Sequence, residues 1–526
     1  MTTAPANADP SGGAGGLKAT LAAYFEPRLI AVLFMGFSSG LPLALTGGTL
    51  QVWQTRGGVS LATIGFFVLV GVAYNLKFLW APFMDRVALP GFLGRLGRRR
   101  GWAVLTQSAL MLAILGLGAG DPVAAPMLTA AFAVLVAFCS ASQDIVIDAY
   151  RIELLDQRQQ GAGAAMTQYG YRLGMLASGA GALFLADAVS WFWVYAMMAA
   201  LVLVGIVTVL LTREPKPAAA PLAAVTDARL RLMQTAALLG LAGCAVAVFL
   251  AISIVILGDA GWPKWAVNSL ATLAAAGTPV LILRLLPRGA DSRPGSLAHA
   301  YADLRRWLGQ SVLQPFADLG RRSGWVHILA FIVLFKLGDA VAGTMANPFY
   351  VQMGFSNAEI ASISKVFGLI ATLIGVFLGG LIVVRLGIVR GLLIGGILQM
   401  FSNLMFAAQS LAGHDMTFLA ATIGIENLSG GMGSAAFVAY LSALCSVAFT
   451  GTQYALFSSL AAVGRTVLSS PGGLLAEDIG WFNYFLLSTA AALPGLAMLL
   501  WLMRRYPAVG MTTGGGNNGG DRKAAG

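Results

Sequence analysis

Residues 57–65, GGVSLATIG, and residues 353–361, MGFSNAEIA, decide the fold when they are laid against each other. Each joins a first long apolar segment to a second, one near the start of the chain and one past its middle. A further pair, TQYGY at 167–171 and TQYAL at 452–456, opens the fifth apolar segment of each end. Chance similarity among apolar segments is the competing reading, but matches that fall in register with the span count favour two six-helix halves in the same orientation.

Composition agrees with helices that cross a membrane. Of 526 residues, 58% are hydrophobic and only 10% charged, against about 25% charged in soluble domains. Fourteen apolar spans are expected, at 29–52, 61–84, 102–119, 123–150, 162–186, 190–211, 232–257, 265–286, 325–350, 358–383, 390–409, 415–444, 452–475 and 480–503, each long enough for a hydrocarbon core of about 30 Å. The fold class is an all-α polytopic membrane protein. Residues 29–211 form an N-terminal six-helix bundle and 325–503 a C-terminal one. Between them lie a linker (212–231), two accessory transmembrane helices (232–286) and a loop (287–324). In that loop Leu297, Tyr301, Leu304 and Leu308 mark an amphipathic helix on the membrane surface. Residues 1–28 and 504–526 read as disordered tails, the first without the apolar core of a signal peptide.

The net charge of +11 reflects topology rather than nucleic-acid binding. Alternating the loops gathers Arg95, Arg98, Arg99, Arg100, Arg213, Arg305, Arg306, Arg385 and Arg504 on one side, while Asp121, Asp187, Asp259, Asp415 and Asp478 fall on the other. The positive-inside rule then places both termini in the cytoplasm. Cys139 and Cys244 sit inside spans and Cys445 at the edge of one, without paired spacing, which argues against a disulfide framework and a metal site.

Within the fourth span the sequence CSASQDIVIDAYRIE (139–153) carries Asp144, Asp148 and Arg151 at spacings of four and three. On a helix these side chains lie within about 60° of one another, a polar stripe on an apolar rod. Lys77, Arg172, Lys336, Asp339, Lys365, Glu426 and Arg465 are also inside spans. Charges at the bilayer centre cost about 2.5–3.5 kcal/mol each, so they face one another or a wet cavity. Such groups can simply lock helices together or snorkel to an interface; those nearest mid-span, Asp144, Arg172, Lys336, Asp339, Glu426 and Arg465, suit a central transport cavity better. Lys336 and Asp339, and Asp148 and Arg151, are spaced to pair within a turn.

Gly430 and Gly433 follow Glu426 on one helical face, either making room for a bulky ligand or letting a neighbouring helix approach. Gln51, Asn347, Gln168, Tyr171 and Gln453, with Trp53, Gln54, Tyr350 and Tyr454, lie near span ends as substrate contacts or as interfacial anchors. The basic loop GRLGRRRG (94–101) lacks the spacing and the Lys-Ser/Thr ending of a phosphate-binding loop. Direct ATP drive is therefore not expected. The remaining energy source is an ion gradient, with Asp144, Asp148 and Glu426 as the proton carriers and no cofactor besides the proton. The three histidines, His299, His327 and His414, stand apart from these charges, which speaks against an intramembrane enzyme.

The chain resembles AmpG-type muropeptide permeases of the major facilitator superfamily, related to the acetyl-coenzyme A transporter group. The resemblance rests on GFSSGLPLALTGGTLQ (36–51), LKFLWAPFMDR (76–86), LGRRRGW (96–102), FCSASQDIVIDAYR (138–151), GYRLGML (170–176), FKLGDA (335–340), ENLSGGMG (426–433) and TQYALFSSL (452–460). It implies proton-driven import of N-acetylglucosaminyl-1,6-anhydro-N-acetylmuramyl peptides across the bacterial inner membrane, for wall recycling and β-lactamase induction. A monomer with no obligate protein partner is expected. Asp85, Arg86 and Arg151 are expected to form a cytoplasmic gate, with Asp85 accepting from a helix N-terminus or a nearby Arg. Two features depart from the usual pattern: Ala81 stands where the superfamily's loop carries Gly, and the accessory spans lie between the halves. A carrier of acyl-coenzyme A or another anionic glycoconjugate and a non-transporting membrane receptor are the other readings.

Overall fold

The two stretches that align in sequence also close their helices in the same way. Gly57 N–H donates to Trp53 O (3.0 Å), Gly58 N–H to Thr55 O (3.1 Å) and Val59 N–H to Gln54 O (3.0 Å). Met353, Gly354 and Phe355 donate to Phe349, Val351 and Tyr350 at 2.9, 3.0 and 3.1 Å. Gly58 and Gly354 sit at φ +79° and +88°, a left-handed conformation that a side chain would strain and that ends a helix by tying up its last carbonyls. Gln51 and Asn347 consequently occupy equivalent places in the two halves.

The structure, a computed structural model, describes residues 24–59, 70, 72–156, 159–215, 274, 278, 306–307, 309–446, 448–469 and 472–505. Among these the regular elements are helices: α1 (Pro27–Arg56), α2 (Val72–Leu76), α3 (Ala81–Arg86), α4 (Arg98–Gly118), α5 (Pro126–Leu154), α6 (Gln160–Leu176), α7 (Trp191–Leu211), α8 (Gln314–Gly320), α9 (Trp325–Gln352), α10 (Gly368–Leu386), α11 (Ile388–Ala412), α12 (Met416–Ala443), α13 (Thr450–Ser469), α14 (Gly472–Ala491) and α15 (Leu493–Arg505). Eight helices among the described residues are long and apolar enough to cross a membrane. Each of the twelve spans expected in the two bundles carries helix, in whole or in part. The accessory pair at 232–286, apart from 274 and 278, lies outside the described residues. So do most of the linker at 212–231, the amphipathic stretch at 297–308 apart from 306–307, and nearly all of both tails.

Small residues let helices touch backbone to backbone. A Cβ on Gly40 of α1 would stand 2.0 Å from the Tyr171 carbonyl of α6, and one on Gly375 of α10 would stand 2.1 Å from the Leu428 carbonyl of α12. With lipid outside and no water to expel between helices, this close packing is what holds such bundles together.

One alignment from the sequence shifts in the structure. TQYAL opens α13 in its first turn, whereas TQYGY begins seven residues beyond the start of α6, deeper by roughly 7 Å at about 1.5 Å per residue. Gln168 and Gln453 are therefore not equivalent in depth.

Candidate functional site

The site begins at the Arg-rich end, where the halves are joined. Asp85, at the end of α3, accepts from the backbone N–H of Gly451 (3.2 Å) and from the N–H and hydroxyl of Thr452 (both 2.6 Å), in the first turn of α13. Amides at a helix start have no partner within the helix and favour an anion. Arg99 of α4 meets Asp85 at 2.8 Å and Glu153 of α5 at 2.5 Å, all three almost fully buried. Glu214 accepts the N–H groups of Arg99 (2.8 Å) and Arg100 (2.9 Å) and so caps α4. Burial works against the Asp85 anion, yet Arg99, the Thr452 hydroxyl and amide, and Arg98 together hold its carboxyl below its ordinary value.

Arg151 adds a second joint. It pairs with Asp148 at 3.5 Å, donates to the Ser442 hydroxyl of α12 at 3.0 Å and lies 5.5 Å from the centre of the Tyr454 ring. Arg86 stands 4.7 Å from the Phe449 ring centre, a cation–π contact. The three gate residues named from sequence thus come together across the two halves. Sequence reading missed their partners Arg99, Glu153, Glu214, Ser442 and Thr452. The triplet at 98–100 was legible only as a topological signal.

Further along α5 the polar stripe turns inward because the neighbouring faces are already engaged. Trp80 donates to the Ser142 hydroxyl (3.0 Å) and Gln143 donates to the Ser38 carbonyl of α1 (2.8 Å). Lys77 lies within charge–charge reach of both Asp144 and Asp148, and Ser39 stands beside Asp144. Asp144 Oδ1 is buried without a hydrogen-bond partner among the described residues.

A second cluster is built on the C-terminal half. α9 breaks at Lys336 (φ −98°, ψ 10°), so that Asp339 falls in the first turn of the helix that follows, where its charge suits the helix dipole. Lys336 Nζ pairs with Asp339 at 3.3 Å and donates to Ser434 Oγ at 3.2 Å. The Asn427 amide donates to Glu426 at 2.8 Å and its carbonyl accepts from the Thr372 hydroxyl at 2.7 Å. Glu426 lies within charge–charge reach of Asp339, Lys336 and Arg172, the last from α6 of the other half. Arg172 Nε is buried without a hydrogen-bond partner among the described residues.

The glycines after Glu426 divide the two roles that sequence left open. A Cβ on Gly433 would stand 2.3 Å from Gln399 Oε1, and one on Gly395 only 2.8 Å from Gly433 Cα, so Gly433 serves helix approach. A Cβ on Gly430 would meet only Gln399 Nε2, at 3.7 Å; that side of Glu426 has room.

Other residues named from sequence fall elsewhere. Gln51 and Asn347 are exposed at the far ends of α1 and α9, and Gln168 and Tyr171 are half-buried on α6. Arg465 lies on α13 with its side chain outside the described part, as does Lys365. Gln453, grouped by sequence with the substrate contacts, is buried at the gate. Its amide donates to Pro315 O (3.1 Å) and Asp318 (2.9 Å) and accepts from Ser446 N–H (2.7 Å), which leaves it occupied by protein. That position follows from the shallower depth of TQYAL.

Comparison with known proteins places this geometry. The anhydromuropeptide permease of Escherichia coli K12 is 39% identical over 478 residues, covering 90% of this chain and 79% of the relative. The putative transporter AmpG 4 of Rickettsia conorii is 29% identical over 477 residues, covering 90% and 96%. The sequence model described as acetyl-coenzyme A transporter 1 matches residues 28–123. Among solved structures, the major facilitator superfamily proton:xylose symporter XylE aligns with a TM-score of 0.59 at 13% identity, covering 93% of this chain and 96% of XylE. The human organic anion transporter MFSD10 aligns at 0.51 and 16% identity, covering 90% and 99%. At such identities the structures show the fold alone, and that fold is the major facilitator fold.

Proposed function

This chain belongs to the anhydromuropeptide permease family of major facilitator transporters, and from that premise we propose that it is a secondary-active, proton-coupled importer of N-acetylglucosaminyl-1,6-anhydro-N-acetylmuramyl peptides. It works in the bacterial inner membrane with both termini in the cytoplasm, and its cargo feeds wall recycling and β-lactamase induction. The observation that carries the reading is that Arg172, from one half, lies within charge–charge reach of Glu426, which shares a cluster with Lys336 and Asp339 of the other. A cluster shared between halves is remade whenever they rock, as alternating access requires. Its two cations suit a peptide bearing several carboxylates, and the room beside Gly430 suits a bulky sugar.

In this reading the described contacts represent the state closed at the cytoplasmic gate. Asp85, Arg86 and Arg151 hold the halves together there. Glu426, steadied by Asn427, takes up the proton from the cluster it shares with Arg172, and protonation frees the cations for the cargo. Asp144 and Asp148, spanned by Lys77, form the second candidate relay, on the path to the gate. Neither relay calls for a metal or a bound cofactor.

The test is uptake of radiolabelled anhydromuropeptide into proteoliposomes with and without an inward proton gradient. Accumulation that a protonophore collapses is the expected outcome. Glu426→Gln should abolish the response to the gradient while leaving counterflow, and full retention of that response would remove Glu426 as the coupling acid. The match of residues 28–123 to the acetyl-coenzyme A transporter model supports a second cargo reading, an acyl-coenzyme A. Competition decides between them: displacement of labelled muropeptide by an amino-sugar peptide and not by coenzyme A thioesters favours the first.

A further inference from the structure

The helix α8 belongs to neither bundle, since it comes from the segment that connects them. Its contacts are nonetheless with both. Phe316 packs on a buried cluster that joins the halves, with Phe78, Met84 and Trp102 from one and Ala435 and Ala455 from the other, while Leu319 lies inside the cluster of Phe331, Tyr440 and Phe457 of the C-terminal half. The turn just before it, Gly309–Leu313, touches α3, which carries Asp85.

Polar contacts fix it to the start of α13. Asp318 accepts from the Gln453 amide at 2.9 Å and from Arg322 at 2.9 Å, and the Pro315 carbonyl accepts from the same Gln453 amide at 3.1 Å. Arg322 also donates to the Leu444 carbonyl in the turn between α12 and α13, and the Gln453 carbonyl accepts from Ser446 N–H in that turn at 2.7 Å. Gly451 and Thr452, the two residues before Gln453, are those that Asp85 grips. One helical turn therefore receives two carboxylates, Asp85 from the N-terminal half and Asp318 from the connecting segment.

We propose that α8 is a strap across the gate: Asp318 and Asp85 hold consecutive residues of the first turn of α13, and the gate opens only when both let go. The physical reason is shared attachment. If α13 swings away from α3, the turn that carries Gln453 moves with it. The segment cannot keep the Gly309–Leu313 turn on α3 and Asp318 on α13 while these separate. Gln453 and Asp318 are accordingly positioning residues for gate closure, and the segment between the halves acts on transport through them.

Two measurements on the full-length protein test this. With Cys139 and Cys244 replaced by alanine, Cys445, in the turn that Arg322 and Gln453 hold, becomes the reporter for a membrane-permeant maleimide. Gln453→Ala, Asp318→Asn and Asp85→Asn should each raise its labelling rate severalfold. The double variant Asp85→Asn/Gln453→Ala should rise well beyond either single effect, towards their product, because opening must break both attachments. Unchanged rates, or a double variant that rises no further than either single one, overturn the strap. The second measurement covers variants that fold poorly: the pair Asp318→Cys/Gln453→Cys, oxidised, should stop counterflow of anhydromuropeptide, and reductant should restore it. Exchange at full rate by the oxidised pair overturns the proposal as well. The counterflow arm rests on the transport reading and the labelling arm does not, so a parent protein that never exchanges cargo would indict that reading and leave the strap to be judged by labelling.

Discussion

Asp85 at the gate is met by three hydrogen bonds and the Arg99 guanidinium, whereas at mid-membrane Asp144 keeps Oδ1, and Arg172 keeps Nε, buried without a hydrogen-bond partner among the described residues. Both regions bury charge at the same kind of cost. Around Asp85 that cost is recovered by contacts on both carboxylate oxygens, although Arg86 Nε and Arg151 Nε and Nη1 nearby are also buried without a hydrogen-bond partner among the described residues. The mid-membrane groups hold bonding capacity in reserve, which is what a site that exchanges protons and cargo needs.

The largest effect expected from this contrast is at the gate. Arg99→Ala leaves Asp85 and Glu153 buried without their shared cation and should cost about 3–5 kcal/mol, read as a lowered melting temperature in detergent. An unshifted melt would mean that the network is relaxed in solution. Next comes Arg172→Gln, which removes a charged contact from the mid-membrane cluster without breaking an intact pair. Stability should hold while affinity for an anionic muropeptide falls by roughly 1.5–3 kcal/mol, on the order of 10-fold to 100-fold. The opposite pattern, a large loss of stability with unchanged affinity, would place Arg172 with the gate residues.

Smaller effects sharpen the same comparison beside Glu426. Gly430→Ala has room for its methyl and should be neutral or stabilising by up to about 1 kcal/mol in a helix. Gly433→Ala meets Gln399 at 2.3 Å and should be the worse of the two in a melt. The least change is expected from pH acting on the gate. The Asp85 carboxyl is held below its ordinary value of 3.8, so its contribution is present above that value and fades only as pH falls through the lower, folded one. Labelling of Cys445, divided at each pH by the rate of the same thiol in the unfolded protein to remove the rise in thiolate, should therefore be flat between about pH 5 and 8. A step inside that window would show that some other group controls the gate.

Local spacing made several of these features legible in advance. Asp148 with Arg151 and Lys336 with Asp339 are three residues apart, and helix geometry alone brings them to 3.5 and 3.3 Å. The repeat that contains Gly58 and Gly354 was legible as well, while the left-handed turn each glycine makes came only from the structure. For Asp85 the kind of partner, a helix start or an Arg, was expected but not which one: Thr452 lies hundreds of positions away, and nothing in a single chain marks which acid will reach which helix start. Gln453 shows the same limit. Its type and its place in a repeat suggested a ligand contact, yet a few residues' difference in depth put it among the straps of the gate.

By itself the sequence determined the membrane-spanning class, the doubled six-helix plan and the set of charges that had to be buried, since hydropathy, repeats and the cost of charge in lipid act on residues near one another in the chain. Tertiary structure decided how those charges were divided, into a gate built around an Asp85 whose two oxygens are both engaged and a centre where Asp144 Oδ1 and Arg172 Nε are not. That division depends on contacts between distant segments, and no local rule of spacing encodes them.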